Sequence, residues 1–68
     1  MEIVLNGAAR HVADAMNLRA LLESLKLPTL EQGIAVAVNG EIVRKTEWRG
    51  TVLKASDEIE VVQATQGG

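Results

Sequence analysis

The sequence predicts an α+β domain in which one main helix packs across a mixed sheet of four or five strands. Leucines recur at helical spacing between residues 18 and 25, and segments with strand character lie on both sides of them. Two Asn-Gly pairs mark tight turns between such segments. With 68 residues and a mass of 7.3 kDa, the chain has room for one small domain.

The N-terminal segment predicts a β-hairpin. Met1, Ile3 and Leu5 alternate with the residues between them, a period of two that is typical of a strand with one face in the core. Asn6-Gly7 tolerates the positive φ of a tight turn, and residues 9–13 are the expected return strand.

The main helix is predicted to begin at residue 18 and to end near Lys26. Asn17 is placed to cap the first turn, and Pro28 cannot continue a helix. Arg19, Glu23 and Lys26 are expected on the solvent side. The apolar stripe, at positions i, i+3, i+4 and i+7, consists of Leu18, Leu21, Leu22 and Leu25.

The second half predicts another hairpin, a surface segment and a final strand. In Ile34 to Val38 the larger side chains share the face that can meet the leucines, and two alanines share the other face. Asn39-Gly40 marks the following turn. In chain order we expect a return strand at 41–43, a polar excursion or short 3₁₀ turn at 44–51, brief pairing at 52–55, a turn at 56–58 and a last strand at 59–64. Residues 1–64 thus form the predicted domain, and residues 65–68 form a flexible tail.

The composition excludes several classes of protein. Cysteine is absent and His11 is the single histidine, which excludes disulfides, thiolate nucleophiles and most metal sites. Seven basic residues against nine acidic ones give a net charge of −2, which argues against nucleic-acid binding. No apolar run is long enough to span a membrane and the N-terminus lacks the pattern of a signal peptide, so we expect a cytoplasmic location.

Chemistry is expected at the carboxyl end, where Gly67-Gly68 closes the sequence. Diglycine lacks Cβ atoms and can pass through a narrow channel into the active site of another protein. Attack of the carboxylate on the α-phosphate of ATP would give a reactive acyl-adenylate. A sulfur or nitrogen nucleophile could then accept the acyl group. A side chain at position 68 would crowd the tetrahedral centre of that reaction. Composition alone is equally compatible with a frayed tail.

Several short motifs follow one another in a specific order and spacing. They are Ile3-Val4-Leu5-Asn6, Leu18 to Leu25, Ala35-Val36-Ala37-Val38-Asn39, Ile42-Val43, Trp48, Asp57-Glu58-Ile59 and Gly67-Gly68. In these motifs the whole chain resembles the ThiS family, the sulfur carriers of bacterial thiazole biosynthesis. The resemblance implies the ubiquitin-like β-grasp fold. Many members have Pro where Arg44 stands and Gly where Ser56 stands, so the turns at these positions are expected to differ.

The resemblance also implies that this chain is a protein substrate of other enzymes rather than an enzyme, and that it binds no cofactor of its own. A ThiF-type adenylyltransferase would adenylate the Gly68 carboxylate with ATP and Mg²⁺. Sulfur from a cysteine desulfurase persulfide or another sulfur donor would then give a C-terminal thiocarboxylate. ThiG, the thiazole synthase, would accept this sulfur for the thiazole ring of thiamin, while Gly67 and Gln66 thread the tail into each partner.

Three alternative functions remain open at the level of sequence. The small subunit of molybdopterin synthase resembles this fold and uses the same thiocarboxylate. A ubiquitin-like modifier would instead end in an amide bond to a target lysine. A non-covalent β-grasp interaction module would not need the two terminal glycines.

One face of the last strand precedes the tail directly and is the candidate surface for partners. The acidic residues Asp57, Glu58 and Glu60 either steer the tail toward a basic groove or form a solvated turn and strand face. Trp48 is interpreted as capping the core rather than as a binding hot spot, and His11 as an ordinary strand residue. The candidate partner residues are Glu58, Glu60, Val62 and Ala64.

Overall fold

The computed structural model describes residues 1–27 and 33–63. Within these ranges the chain forms a five-stranded sheet, one α-helix and one 3₁₀ helix. The elements in chain order are β1 (Glu2–Leu5), β2 (Ala8–His11), α1 (Leu18–Ser24), β3 (Ile34–Val38), β4 (Glu41–Ile42), the 3₁₀ helix (Lys45–Gly50) and β5 (Glu58–Gln63).

The sheet is mixed, and its strand order is β2-β1-β5-β3-β4. The last strand of the sequence, β5, therefore lies in the middle. It runs parallel to β1 and antiparallel to β3, while each outer strand pairs with its own hairpin partner. The predicted α+β architecture is confirmed, with five strands rather than four.

Both hairpins turn on an Asn-Gly pair, as predicted. Asn6 and Gly7 have φ angles of 49° and 83°, and Asn39 and Gly40 have φ angles of 51° and 85°. Positive φ at both central positions is the requirement of a type I′ turn, whose twist matches that of the flanking strands. The turn chemistry written in the sequence therefore sets the register of both hairpins.

The predicted helix is confirmed, but it ends earlier than expected. The side-chain oxygen of Asn17 accepts a hydrogen bond from the Ala20 N–H at 2.8 Å, which caps the first turn. After Ser24 the backbone tightens, because the Leu25 N–H donates to the Leu22 carbonyl three residues earlier. Lys26 then adopts a left-handed φ of 54°, which stops the helix. Pro28, the predicted stop signal, lies outside the described residues.

The core lies between α1 and one face of the sheet, and the 3₁₀ helix closes one end of it. Trp48 is 2% exposed, and its indole Nε1 donates to the Val43 carbonyl oxygen at 3.0 Å. The interpretation of this residue as core is confirmed. Among residues 1–27 and 33–63, the other buried apolar residues are Ile3, Val12, Leu18, Leu21, Leu22, Val36, Leu53 and Ile59.

Several predicted boundaries shift by one or two residues. The return strand of the first hairpin is Ala8–His11, because after His11 the chain turns inward and buries Val12. The brief pairing predicted at 52–55 reduces to one bridge between Val52 and Asn17. The predicted turn at 56–58 lies at residues 55–56 instead, so that Glu58 is already the first residue of β5. His11 is exposed on β2, as an ordinary strand residue.

Candidate functional site

The outer face of β5, turned away from α1, carries the candidate partner residues that the structure describes. Ile59 is buried and Val61 packs against the core, so the alternate residues Glu58, Glu60 and Val62 face outward. All three are exposed. The three residues therefore share an exposed face, and the role of this face in binding partners stays a prediction, while Ala64 lies outside the described part of the chain.

On the β3 side, the outward residues of β5 have small neighbours. The register places Ala37 beside Glu60 and Ala35 beside Val62. Paired residues in adjacent strands point to the same side of a sheet, so both alanines share the outer face. Because an alanine covers little of its neighbour, Val62 remains 59% exposed although it lies in the middle strand. A partner can thus approach β5 closely from this side.

Ile42 extends this face and was not identified from the sequence. It pairs with Ala37 across the second hairpin and is 73% exposed. The Asn39-Gly40 turn is the sequence feature that could have identified Ile42. A two-residue loop fixes the register of the hairpin and places position 42 opposite position 37. The outer face therefore combines exposed apolar groups at Ile42 and Val62 with the carboxylates of Glu58 and Glu60, and we call these four residues the outer patch.

Asp57 takes a structural role and does not belong to the outer patch. One carboxylate oxygen accepts from Asn39 Nδ2 at 3.1 Å, and the other accepts from the Lys54 N–H at 2.8 Å. Asn39 Oδ1 in turn accepts from the Glu58 N–H at 2.9 Å. This network fixes the start of β5 against the turn of the second hairpin, so the carboxylate of Asp57 is engaged within the fold.

A second asparagine holds the opposite edge of β5, where this strand pairs with β1. The side-chain oxygen of Asn6 accepts from the Val61 N–H at 2.8 Å, and the Asn6 N–H donates to the Ile59 carbonyl oxygen at 2.8 Å. Ladder pairing of β1 with β5 ends at Leu5, so the Asn6 side chain continues it by one more bond. The strand that leads toward the tail is therefore held on both sides.

The remaining predicted site residues, Gln66, Gly67 and Gly68, lie outside the described residues. In the two ranges that the structure covers, no three His, Cys, Asp or Glu side chains come together in a way that could hold a metal ion. Over the same ranges, no helix combines the length and apolar character needed to cross a membrane.

Comparison with known proteins decides the family. The model of the ThiS family matches residues 3–68, which is nearly the whole chain. The chain belongs to the ThiS family. This match confirms the resemblance carried by the sequence motifs.

Individual relatives agree with the family assignment. The chain is 31% identical to the sulfur carrier protein ThiS of Escherichia coli (strain K12), and the match covers all of both chains. It superimposes on the crystal structure of the thiamine biosynthesis protein ThiS from Geobacter metallireducens with a TM-score of 0.86, at 30% identity and with full coverage of both chains. An NMR solution structure of a thiamine biosynthesis protein from the same organism gives a TM-score of 0.81 at 28% identity, covering all of this chain and 88% of that one.

These comparisons establish the ubiquitin-like β-grasp fold and the general function of the chain. As a ThiS-family member it is a sulfur carrier protein of thiamine biosynthesis, and it is not itself an enzyme. Among the alternatives left open by the sequence, the family match favours the thiazole pathway over molybdopterin synthesis.

Proposed function

We propose that the chain carries sulfur as a thiocarboxylate on Gly68 and donates it to the thiazole ring of thiamin. The observation that carries the proposal is the family match, which extends through position 68 and so includes Gly67-Gly68. The absence of cysteine supports it, because no side-chain thiol competes for the sulfur by exchange.

The chemistry requires activation, since a carboxylate is a poor acyl donor. The Gly68 carboxylate attacks the α-phosphate of ATP and pyrophosphate leaves, which gives an acyl-adenylate. The persulfide of a cysteine desulfurase or another donor then attacks the acyl carbon and displaces AMP, which gives an acyl disulfide. A thiol reduces this disulfide, so that the thiocarboxylate is released and a new disulfide is left on the donor side. Position 68 bears no side chain, so nothing crowds the tetrahedral centre at its carbonyl carbon. Mg²⁺ and ATP belong to the activating enzyme rather than to this chain.

The proposed partners are a ThiF-type adenylyltransferase and the thiazole synthase ThiG. Gly67 and Gln66 thread the tail into their active sites, and the outer patch together with Ala64 supplies the contact surface. Exposed apolar side chains next to carboxylates suit such a contact. Binding would bury the exposed apolar surface of Val62 and Ile42, which is favourable, and the carboxylates of Glu58 and Glu60 would favour a partner with a basic surface. We place this reaction in the cytoplasm, where ATP is available.

The proposal is tested by incubating the full chain with the adenylyltransferase, ATP, Mg²⁺ and a sulfur donor, followed by intact-mass spectrometry. We expect a product in which one oxygen is replaced by sulfur, and fragmentation should place the replacement at Gly68. A variant lacking Gly67 and Gly68 is the matched control, since its described body is unchanged.

Two results would contradict the proposal. An unmodified chain in the presence of an enzyme that activates another ThiS-family protein would exclude thiocarboxylate formation. Isopeptide-linked adducts of the chain with lysines of other proteins would instead identify a ubiquitin-like modifier.

A further inference from the structure

The two Asn-Gly turns carry the chemistry of a covalent modification, the deamidation of asparagine. In this reaction the backbone nitrogen of the next residue attacks Cγ of the asparagine, the new C–N bond closes a succinimide ring, and ammonia leaves. Water then opens the ring at either carbonyl, which gives aspartate or isoaspartate. Glycine favours the reaction because it has no Cβ atom to obstruct the attacking nitrogen. The sequence contains this pair twice, at Asn6-Gly7 and at Asn39-Gly40.

The backbones of the two turns are closely matched. Both asparagines are exposed, and both turns have the same pattern of positive φ angles. Neither Gly7 nor Gly40 donates a backbone hydrogen bond to the described part of the chain, and a Cβ atom added at either glycine would meet no atom within 4 Å. The attacking nitrogen is therefore equally available in both turns, and only the side-chain contacts of the asparagines can distinguish them.

These side-chain contacts differ. Asn39 is held at both ends of its carboxamide, because Nδ2 donates to Asp57 Oδ1 at 3.1 Å and Oδ1 accepts from the Glu58 N–H at 2.9 Å. Asn6 is held at its oxygen, which accepts from the Val61 N–H at 2.8 Å, and its Nδ2 makes no hydrogen bond within residues 1–27 and 33–63. Cγ of Asn39 therefore reaches the next backbone nitrogen only after two hydrogen bonds break, whereas Cγ of Asn6 is released by breaking one.

The carboxylate of Asp57 adds a second obstacle at Asn39. Attack on Cγ places negative charge on Oδ1 in the tetrahedral intermediate, and a carboxylate bound to the same carboxamide raises the energy of that charge. A backbone N–H donates to Oδ1 at both asparagines, so this stabilising contact is common to the two sites. The difference in reactivity between Asn6 and Asn39 is therefore assigned to Asp57.

We propose that Asn6 is the site at which the folded protein deamidates, and that Asp57 protects Asn39, whose deamidation would release the start of β5. Conversion of Asn6 to aspartate keeps an oxygen acceptor for the Val61 N–H. Conversion of Asn39 removes the Nδ2 donor and places a second carboxylate against that of Asp57. The fold thus protects the asparagine whose modification would do more damage.

The relative rates are measured by incubating the full chain at mildly alkaline pH, followed by proteolysis and tandem mass spectrometry of the peptide that contains each asparagine. In the folded chain Asn6 should react at least about three times faster than Asn39, because the additional hydrogen bond of Asn39 has to break first. The matched control is the same chain in guanidinium chloride. Unfolding removes the contacts of both side chains, so the two asparagines should then react at similar rates.

The consequences of the modification are measured by thermal unfolding of variants of the full chain. Asn39→Asp should lower the Tm by about 5 to 10 °C, and the matched variant Asn6→Asp should change it by less than about 2 °C. The double variant Asn39→Asp/Asp57→Asn exchanges donor and acceptor between the two positions and should recover most of the loss. The amide at position 57 can donate to the carboxylate at position 39 and still accept from the Lys54 N–H.

Four outcomes would overturn the proposal. Equal rates in the folded chain, or a faster reaction at Asn39, would show that Asp57 gives no protection. A folded chain that does not react at Asn6, while the unfolded chain does, would remove the proposed site. Equal Tm values for Asn39→Asp and Asn6→Asp would show that the contact with Asp57 does not hold β5, and so would a double variant without recovery. These measurements require no adenylyltransferase, so their result is independent of the proposed thiocarboxylate.

Discussion

Ser56 adopts a left-handed backbone conformation, with φ at 71°, in the turn before β5. This region is strained for residues that carry a Cβ atom, and glycine occupies it without that penalty. Many ThiS-family proteins have glycine at this position, which is one of the two departures noted in the sequence. The turn itself is retained, and the Ser56 N–H donates to the Glu2 carbonyl oxygen at 2.7 Å. Serine in place of glycine at position 56 therefore lowers the stability of the fold more than it changes the geometry of the turn.

The variant Ser56→Gly should stabilise the chain by about 0.5 kcal/mol, because relief of about 1 to 2 kcal/mol of strain exceeds the roughly 0.5 to 1 kcal/mol lost through the greater freedom of glycine in the unfolded chain. Equilibrium unfolding in urea measures the change. The neighbouring variant Ala55→Gly is the matched control, since Ala55 is not among the residues with positive φ. The free energy of unfolding of Ala55→Gly should fall by about 0.5 to 1 kcal/mol, because glycine gives the unfolded chain more conformational freedom. A loss of stability in Ser56→Gly would show that the turn does not carry this strain.

The second departure, at Arg44, leaves the backbone unchanged. Arg44 has φ at −72° and ψ at 151°, a conformation that proline also adopts. The 3₁₀ helix therefore begins in the same way with either residue.

At the scale of elements, local signals predict most of the fold. The Asn-Gly turns, the leucine stripe and the alternation in β3 each depend on neighbours within a few positions, and each is confirmed. The helix end is predicted two residues late, because the left-handed conformation of Lys26 has no distinctive signal in the sequence.

Features that depend on distant residues escape prediction. The role of Asp57 is decided by Asn39, 18 positions away, and Ile42 joins the outer patch through its pairing with Ala37. The outward residues of β5 were predictable because strand alternation is local.

The short helix α1 depends on its N-terminal cap. Seven residues are too few for a helix to be stable alone, so each terminal hydrogen bond counts. Asn17→Ala should destabilise the chain by about 1 kcal/mol, measured by thermal or urea unfolding, because the Ala20 N–H loses its side-chain acceptor. Asn17→Ser, which retains an acceptor, should cost only about a few tenths of this value. Equal losses in the two variants would assign the effect to packing instead of capping.

At the scale of the whole molecule, the two sides of the sheet have separate tasks. The helix side holds the core, and the outer side offers the outer patch. Under the proposed function, Val62→Glu should raise the KM of the adenylyltransferase for this chain about tenfold, because a charge enters an apolar contact. Steady-state kinetics of thiocarboxylate formation measure this effect.

The control for that variant is Val52→Glu, which makes the same change at a similarly exposed valine, 53% against 59%. Val52 lies outside β5 and pairs with Asn17, so its substitution should leave the KM unchanged within about twofold. Similar increases in both variants would show that the enzyme does not distinguish the outer patch from the rest of the surface.

The central position of β5 also determines when this protein can form during synthesis. The two hairpins flank β5 in the sheet, so neither can join the other until residues 58–63 have left the ribosome. Folding is consequently delayed until the described body is almost fully translated.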